Sequence, residues 1–414
     1  MPFVPGFLPS QNAPLFGNGP WPSGTALTIS VPGLPAASID ATRMGLCGGM
    51  SFLARDIFES GTPQLRGWDS ARIPVPVALH VLHRLVQSFG GAPVVLRWIS
   101  ATRALDHDTV FWGRGLFGQT VAECPAVMAD IDAGVLCPIG IVLAQSWGPW
   151  EVFQNHVVLV WGYELLGTAL TLHTYDCNFP RRDDIVIQLD ISAPAPAKQI
   201  TTNGTAGPGP NMIRGFFRLP YSHADPEPAY VDDAAVSIAV APPAQLAADS
   251  TAPVLVTATN RGSTSWAPEL GYRLGSQAPR DNTTWGTGRV ELPGPVDPQG
   301  TVSFAFDVTA PAAAGGYPFC WQMVREGVRW FGAPTAAVPI GVGSSTPLCD
   351  QLHQQHDELK RQLDEVNAEI AAIDWSDPIT ARHEAAALAR RASDLQRQLS
   401  TLEAQQVSNS CVPG

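Results

Sequence analysis

The chain has 414 residues, 45% of them hydrophobic, which is enough for two or three domains and a sizeable core. With 25 basic residues against 37 acidic, a formal charge of −12 and a pI near 5.1, it has the wrong sign for nucleic acid or an anionic membrane as its main partner. Glycine and proline, 38 each, suit a loop-rich protein with β domains, while the apolar content argues against wholesale disorder.

The stretch up to about Ile39 is proline-rich and extended, so strands cannot run far in it and it is expected to wrap the surface. The first Lys or Arg is Arg43, which leaves no charged n-region of a signal peptide, and no apolar run reaches the length of a membrane span. The expectation is a soluble chain, cytoplasmic by default, with signal-less secretion left open. Next comes Gly45-Leu46-Cys47-Gly48-Gly49-Met50-Ser51-Phe52, a glycine-flanked cysteine opening a helix-competent run through Phe58. A helix N-terminus carries unpaired N–H groups and partial positive charge, so it favours a thiolate and offers donors to an oxyanion. Small neighbours let the backbone turn and a substrate approach. A single cysteine is usually a small buried hydrophobe, so its meaning depends on residues downstream.

Pro74 to Val86 has helical spacing with prolines in the first turn, and places His80 and His83 three apart; a structural role outweighs a metal pair there. A further helix around Thr120 to Asp132 leads into an apolar strand from Val135 to Leu143. The loop Gln145-Ser146-Trp147-Gly148-Pro149-Trp150 then offers Trp147 and Trp150 as cleft walls or as packing. Asn155 to Tyr163 reads as a buried strand with His156 at its start, and Ala169 to Tyr175 as the next, ending in Asp176-Cys177-Asn178-Phe179-Pro180. A hairpin sets the start of the first beside the end of the second, which brings His156 next to Asp176 and Asn178: a base with an orienter, and Asn155 as polar support. Alternation points Cys177 away from that site. Further strands are expected at 184–191 and 212–219, separated by a long Pro/Gly/Thr loop that either covers the site or hangs free.

Residues 221–233 read as a linker. From 234 to 342, short alternating strands between turn signals indicate an all-β sandwich. After a second link at 343–349, residues 350–406 carry Leu352, Leu359, Leu363, Val366 and Ile370, then a break at Asp374 to Pro378, then Leu388, Leu395, Leu399 and Leu402. Two such helices form an antiparallel hairpin or coiled coil whose apolar stripe suits self-association, with His353 and His356 facing solvent. The hairpin puts Cys349 and Cys411 at one end, as a disulfide or as two free thiols. The seven cysteines include no Cys-x-x-Cys, and no Walker, Rossmann, zinc-protease or Gly-x-Ser-x-Gly motif occurs, so neither a metal nor a cofactor is expected.

The order Cys47, strand-borne His156, then Asp176 one hairpin later resembles papain-like cysteine peptidases, most closely the bacterial branch related to bacteriocin-processing peptidases. There the cysteine opens the central helix and a "YDxN" type ending comes after the histidine strand, as Tyr175-Asp176-Cys177-Asn178 does here. Gly45 to Met50, with Gly6-Phe7-Leu8-Pro9-Ser10 and Asn18-Gly19-Pro20-Trp21-Pro22, is also similar to a group of bacterial proteins with that core. The resemblance covers residues 1–220 and implies an α+β papain-like core. It implies a thiol hydrolase of peptide or amide bonds, in which His156 deprotonates Cys47, Asp176 orients the imidazole and a peptide or protein substrate forms an acyl-enzyme. Interception by an amine would make it an acyltransferase or transglutaminase-like enzyme; a noncatalytic papain-like scaffold is the reading from a different class. One departure is that papain-like enzymes carry a glutamine a few residues before the nucleophile, whereas Ala41 to Leu46 contains none and the first upstream is Gln11. Another donor or a backbone-only oxyanion hole would then be needed. Asn260 to Trp266 and Gly316 to Gly332 resemble the four-tryptophan immunoglobulin-like domain of certain autophagy receptors. That likeness implies a non-catalytic module that binds a protein or glycan or acts as a spacer, with Trp266, Trp285, Trp321 and Trp330 serving more as core than as ligand face.

Overall fold

A computed structural model describes residues 2–29, 37–40, 45–67, 69–109, 113–146, 154–192, 196–206, 212–343, 347–374, 376, 378–409 and 411. The chain forms two compact units. The first is Met1–Asp233 with Asn260–Trp266 and Val296–Gly300; the second is Ala234–Thr259, Ala267–Pro295 and Thr301–Gly414.

The first unit runs α1 (Pro9–Asn12), a hairpin of β1 (Ala26–Ile29) and β2 (Ala37–Asp40), then four helices: α2 (Cys47–Ser60), α3 (Val75–Ser88), α4 (Ala92–Arg103) and α5 (Leu116–Asp132). Seven strands complete it: β3 (Cys137–Val142), β4 (His156–Leu166), β5 (Ala169–Tyr175), β6 (Val186–Asp190), β7 (Ile200–Thr202), β8 (Met212–Ile213) and β9 (Gly215–Arg218). They form one antiparallel sheet ordered β8-β7-β6-β5-β4-β3-β9. The single strand expected over 212–219 is instead split at Arg214, and its halves pair with opposite edges of the sheet. Because one residue joins those edges, the sheet has to curl until they meet. Arg214 secures the join by donating its backbone N–H to Val142 O and its guanidinium to Ala104 O and Ala144 O, at 2.9, 2.6 and 2.7 Å.

The described part of the proline-rich lead-in enters the core and does not simply wrap the surface. Val4, Phe7, Phe16 and Trp21 are buried, and Val4 N–H donates to Trp161 O at 2.8 Å, so its apolar residues complete the core beside β4. Residues 221–230, part of the stretch expected as an interdomain linker, pack on α2 and the turn after it: Tyr221 Oη donates to Asp56 Oδ1 (2.6 Å), Ala224 N–H donates to the same oxygen (3.1 Å), and Tyr230 Oη donates to Thr62 Oγ1 (2.9 Å). Asp56 and Arg84 form the buried ion pair beneath, at 2.7 Å. Helix α4 is not among the elements expected from the sequence; Pro93, which would break a helix interior, lies in its first turn, where a missing N–H costs nothing.

Among the described residues the second unit holds three sheets. One joins Ala234–Val240, Thr251–Asn260 and Thr301–Thr309; another joins Gln245–Ala247, Val338–Gly343 and Gly315–Phe319; the third joins Arg289–Glu291, Tyr272–Ser276, Trp321–Arg325 and Arg329–Phe331. Trp285 and Trp321 are buried in it, while Trp330 is half-buried under the guanidinium of Arg289, 4.8 Å from the ring centre; Trp266, in the first unit, is buried as well. Helices α6 (Pro347–Ala371) and α7 (Pro378–Ser408) pack together through Leu352, Val366, Leu395 and Leu402, and Cys349 and Cys411 are disulfide-bonded. His353 and His356, expected to face solvent, are half-buried, and His356 reaches Glu403 on α7 at 3.7 Å. No helix among the described residues is long and apolar enough to cross a membrane.

Candidate active site

Cys47 is the first residue of α2. The two glycines after it are there for packing more than for substrate access: a Cβ on Gly48 would lie 2.3 Å from Ser88 Oγ, and one on Gly49 would lie 2.0 Å from Val81 O. Only glycines let α2 come this close to the backbone of α3. Further along the same helix, Ser51 Oγ donates to Val157 O (3.2 Å), tying the nucleophile's helix to the start of β4. Cys47 is partly exposed as a residue; Cys124, Cys137, Cys177 and Cys320 are buried.

His156 opens β4, opposite Ile141 of β3, and is buried. Its Nε2 donates to Asp176 Oδ1 at 2.7 Å. Asp176, one residue past β5, is 1% exposed, and its two oxygens also accept Asn178 N–H (3.0 Å) and Thr205 N–H (2.8 Å). Since Nε2 is committed to Asp176, Nδ1 is the ring nitrogen left for the thiol.

The electrostatics agree with that placement. Burial opposes ionisation of Cys47, but the charge of His156, its hydrogen bond and the N–H groups of Val157 and Gly48 together hold the thiol below its ordinary pKa. Burial likewise opposes protonation of His156, yet Asp176 and Cys47 raise it to about 10. Burial pushes Asp176 up, while His156, Thr205 and Asn178 bring it down to about 2. All three directions favour a thiolate–imidazolium pair backed by a carboxylate.

Asn178, the competing orienter, makes no bond to the imidazole: its Nδ2 donates to Thr205 Oγ1 (2.8 Å) and its Oδ1 accepts from Asn18 Nδ2 (3.1 Å). Asn155 does not support the base either. Its Oδ1 accepts Leu143 and Ala144 N–H, and its Nδ2 donates to Thr102 Oγ1, so it staples the end of β3 to α4. Cys177 does not point away as alternation suggested. The strand ends at Tyr175, and in the turn after it the Cys177 sulfur comes within 4.8 Å of ligand atoms of both His156 and Asp176. These three have metal-ligand spacing, but the oxygens of Asp176 already accept three N–H groups, and burial with the charges of Cys47 and Asp176 drives the Cys177 thiol far above its ordinary pKa. The arrangement is that of a hydrogen-bonded dyad. Trp147 and Trp150 lie outside the described residues.

Thr205 was missed in the sequence, and Asn18 stood out there only as part of a motif with no role attached. Thr205 sits in the loop expected to be irregular, which contains β7 and turns back onto Asp176. Its one signal was the Asn203-Gly204 turn pair.

No family model matches the chain, and no curated protein matches it. Among solved structures it is similar to the CARDB domain of PF1109 from Pyrococcus furiosus, at 12% identity over 27% of this chain and 97% of that one, with a TM-score of 0.20. It is also similar to red sea bream transglutaminase, at 11% identity over 50% of this chain, with a TM-score of 0.16; the match spans 26% of that enzyme's length. At such scores neither alignment bears on the fold or the chemistry of the site.

Proposed function

We propose that the first unit is a papain-like thiol hydrolase that cleaves peptide or amide bonds through an acyl-enzyme on Cys47. The buried His156–Asp176 pair, set against a thiol that it drives toward thiolate, carries this assignment. The Cys47 thiolate attacks the substrate carbonyl carbon, and the resulting oxyanion faces the first turn of α2, where N–H groups have no intrahelical acceptor. The C–N bond breaks as imidazolium Nδ1–H protonates the departing amine. Water then gives a proton to Nδ1 and attacks the thioester, the C–S bond breaks, and acid leaves with the thiolate–imidazolium pair restored. Asp176 stays ionised throughout and keeps Nε2–H pointed at itself. The same proposal takes residues 1–220 as the catalytic domain, 234–342 as an immunoglobulin-like module for a protein or glycan ligand, and 350–406 as a hairpin suited to self-association.

The test is alkylation with limiting iodoacetamide as a function of pH, with the labelled cysteine identified by mass spectrometry in wild type and in His156→Ala. Preferential labelling of Cys47 below about pH 7, lost in the variant, is the expected result. Labelling of Cys47 only at alkaline pH, no faster than the other thiols, would leave a noncatalytic scaffold in its place.

A further inference from the structure

A single carboxamide joins the nucleophile's loop to the orienter's loop. Asn18 lies in the lead-in between two anchors, Phe16 and Trp21, which are buried and meet edge to face with ring centres 6.2 Å apart. Its Oδ1 accepts the backbone N–H of Leu46 at 2.6 Å, one residue before Cys47. Leu46 is the N-cap of α2 and makes no side-chain cap bond; its own N–H, the donor that a capping box satisfies from within the helix, is taken here by Asn18 from 28 residues upstream. The amide comes this close because residue 45 is glycine: a Cβ at that position would be 2.4 Å from Asn18 Nδ2.

The direction of the whole relay is set by one fixed donor. Leu46 N–H can only meet an oxygen, so Asn18 turns Oδ1 toward it and Nδ2 toward Asn178. Asn178 must then present Oδ1 to Asn18 at 3.1 Å, which leaves its Nδ2 for Thr205 Oγ1 at 2.8 Å. The backbone N–H groups of Asn178 and Thr205 both end on Asp176, at 3.0 and 2.8 Å. An unbroken chain of hydrogen bonds therefore runs from the residue before the nucleophile to the carboxylate behind the base.

We propose that Asn18 is a positioning residue that sets the distance between Cys47 and the His156–Asp176 pair by bridging Leu46 to Asn178, a role that rests on the thiol-hydrolase reading above. The side chain needs an acceptor at one end and a partner for Asn178 at the other, spaced as in a carboxamide. Alanine provides neither. Aspartate provides both once Asn178 turns over, because Thr205 Oγ–H can donate to the oxygen that then faces it.

The experiment measures the iodoacetamide labelling rate of Cys47 across the pH range in the full chain, for wild type, Asn18→Ala, Asn18→Asp and Ser10→Ala. Ser10 ties the same lead-in to Asp183 through its N–H and Oγ (2.8 and 2.7 Å), away from Leu46, so its variant loosens the segment without cutting the bridge. The expected result is a loss of about tenfold in rate near pH 6 for Asn18→Ala, with the onset of labelling moved to higher pH, as befits two lost hydrogen bonds. Asn18→Asp should recover most of that rate and Ser10→Ala should match wild type. An Asn18→Ala profile that overlies wild type overturns the role, as does an equal loss in Ser10→Ala, which would reduce Asn18 to an anchor of the lead-in. If Asn18→Ala does not fold, Asn18→Asp decides alone: a melting temperature like wild type with a rate as low as that of His156→Ala refutes the bridge. A wild-type chain without preferential Cys47 labelling overturns the hydrolase reading itself, and the bridge with it.

Discussion

Replacing Asp176 by asparagine keeps the side chain's shape, removes its charge and, with Oδ1 kept toward the imidazole, sets an NH2 group against the Thr205 N–H. In the native chain the carboxylate accepts three N–H groups within a 1% exposed pocket, one of them from the imidazole it holds protonated. A hydrogen bond to a charged group contributes about 1.5–3 kcal/mol, which corresponds to roughly 1–2 pK units at 1.36 kcal/mol per unit. His156, now near 10, should fall by that amount. The imidazolium that supports the Cys47 thiolate then gives up its proton about 1–2 pH units lower, so the thiolate–imidazolium range narrows from its alkaline end and the alkylation profile changes shape there. The second-order rate of Cys47 alkylation against pH, with the modified peptide identified by mass spectrometry, reads this directly. If the Asp176→Asn profile coincides with that of wild type, the carboxylate does not govern the imidazole and the assigned electrostatics are wrong.

Acid titration depends on the same carboxylate. Its pKa is depressed to about 2 in the folded chain from an ordinary 3.8, so its contribution of about 2 kcal/mol is present above the ordinary value and is lost as pH falls from about 4 to about 2. The gap in urea midpoint between wild type and Asp176→Asn should close across that window; a constant gap contradicts the linkage. Gly49→Ala should destabilise the first unit by about 1–3 kcal/mol, since its Cβ meets backbone that cannot move alone, and calorimetry should show a Tm drop of roughly 2–4 °C per kcal/mol. An unchanged Tm would mean that α2 and α3 do not approach so closely. Arg84→Ala strands the buried Asp56 carboxylate and should cost about 3–5 kcal/mol in chemical denaturation, whereas Arg182→Ala, which breaks an exposed pair with Asp184, should leave the midpoint in place. Cys349→Ser opens a loop spanning 62 residues and should weaken the helical hairpin by about 2–4 kcal/mol, visible as an earlier loss of helical circular dichroism; a melt identical to wild type would show that the bond does not hold the hairpin.

Much of the first unit's sheet was legible because the apolar runs at 135–143, 155–163 and 169–175 are of strand length and favour extended backbone, and a tight turn between the last two fixes their neighbourhood. His156 and Asp176 meet for that local reason. What escaped the sequence depends on contacts between separate segments. The split at Arg214 is set by two sheet edges elsewhere in the chain, β3 and β7, and no periodicity within 212–219 signals it. Asn18 sits in a segment without periodicity, and nothing near it names Leu46 as its partner. Cys177 was misread for another reason: alternation holds only while the chain is a strand, and β5 stops two residues earlier.

The acid–base pair and the nucleophile are therefore held by different kinds of force. His156 opens β4 and Asp176 follows β5 by one residue, so the ladder of these adjacent strands brings their ends together and the Nε2–Oδ1 bond closes the pair. Cys47 belongs to α2, which shares no ladder with the sheet. Its distance from the imidazole depends on side-chain bonds and close packing: Ser51 on Val157, Gly49 against α3, and Asn18 on Leu46. Reactivity should then be more easily disturbed than the dyad behind it. Substitutions at Ser51 or Gly49 that leave the His156 titration near its native position should still slow Cys47 alkylation, because a thiolate a few tenths of an ångström out of reach loses the charge that creates it.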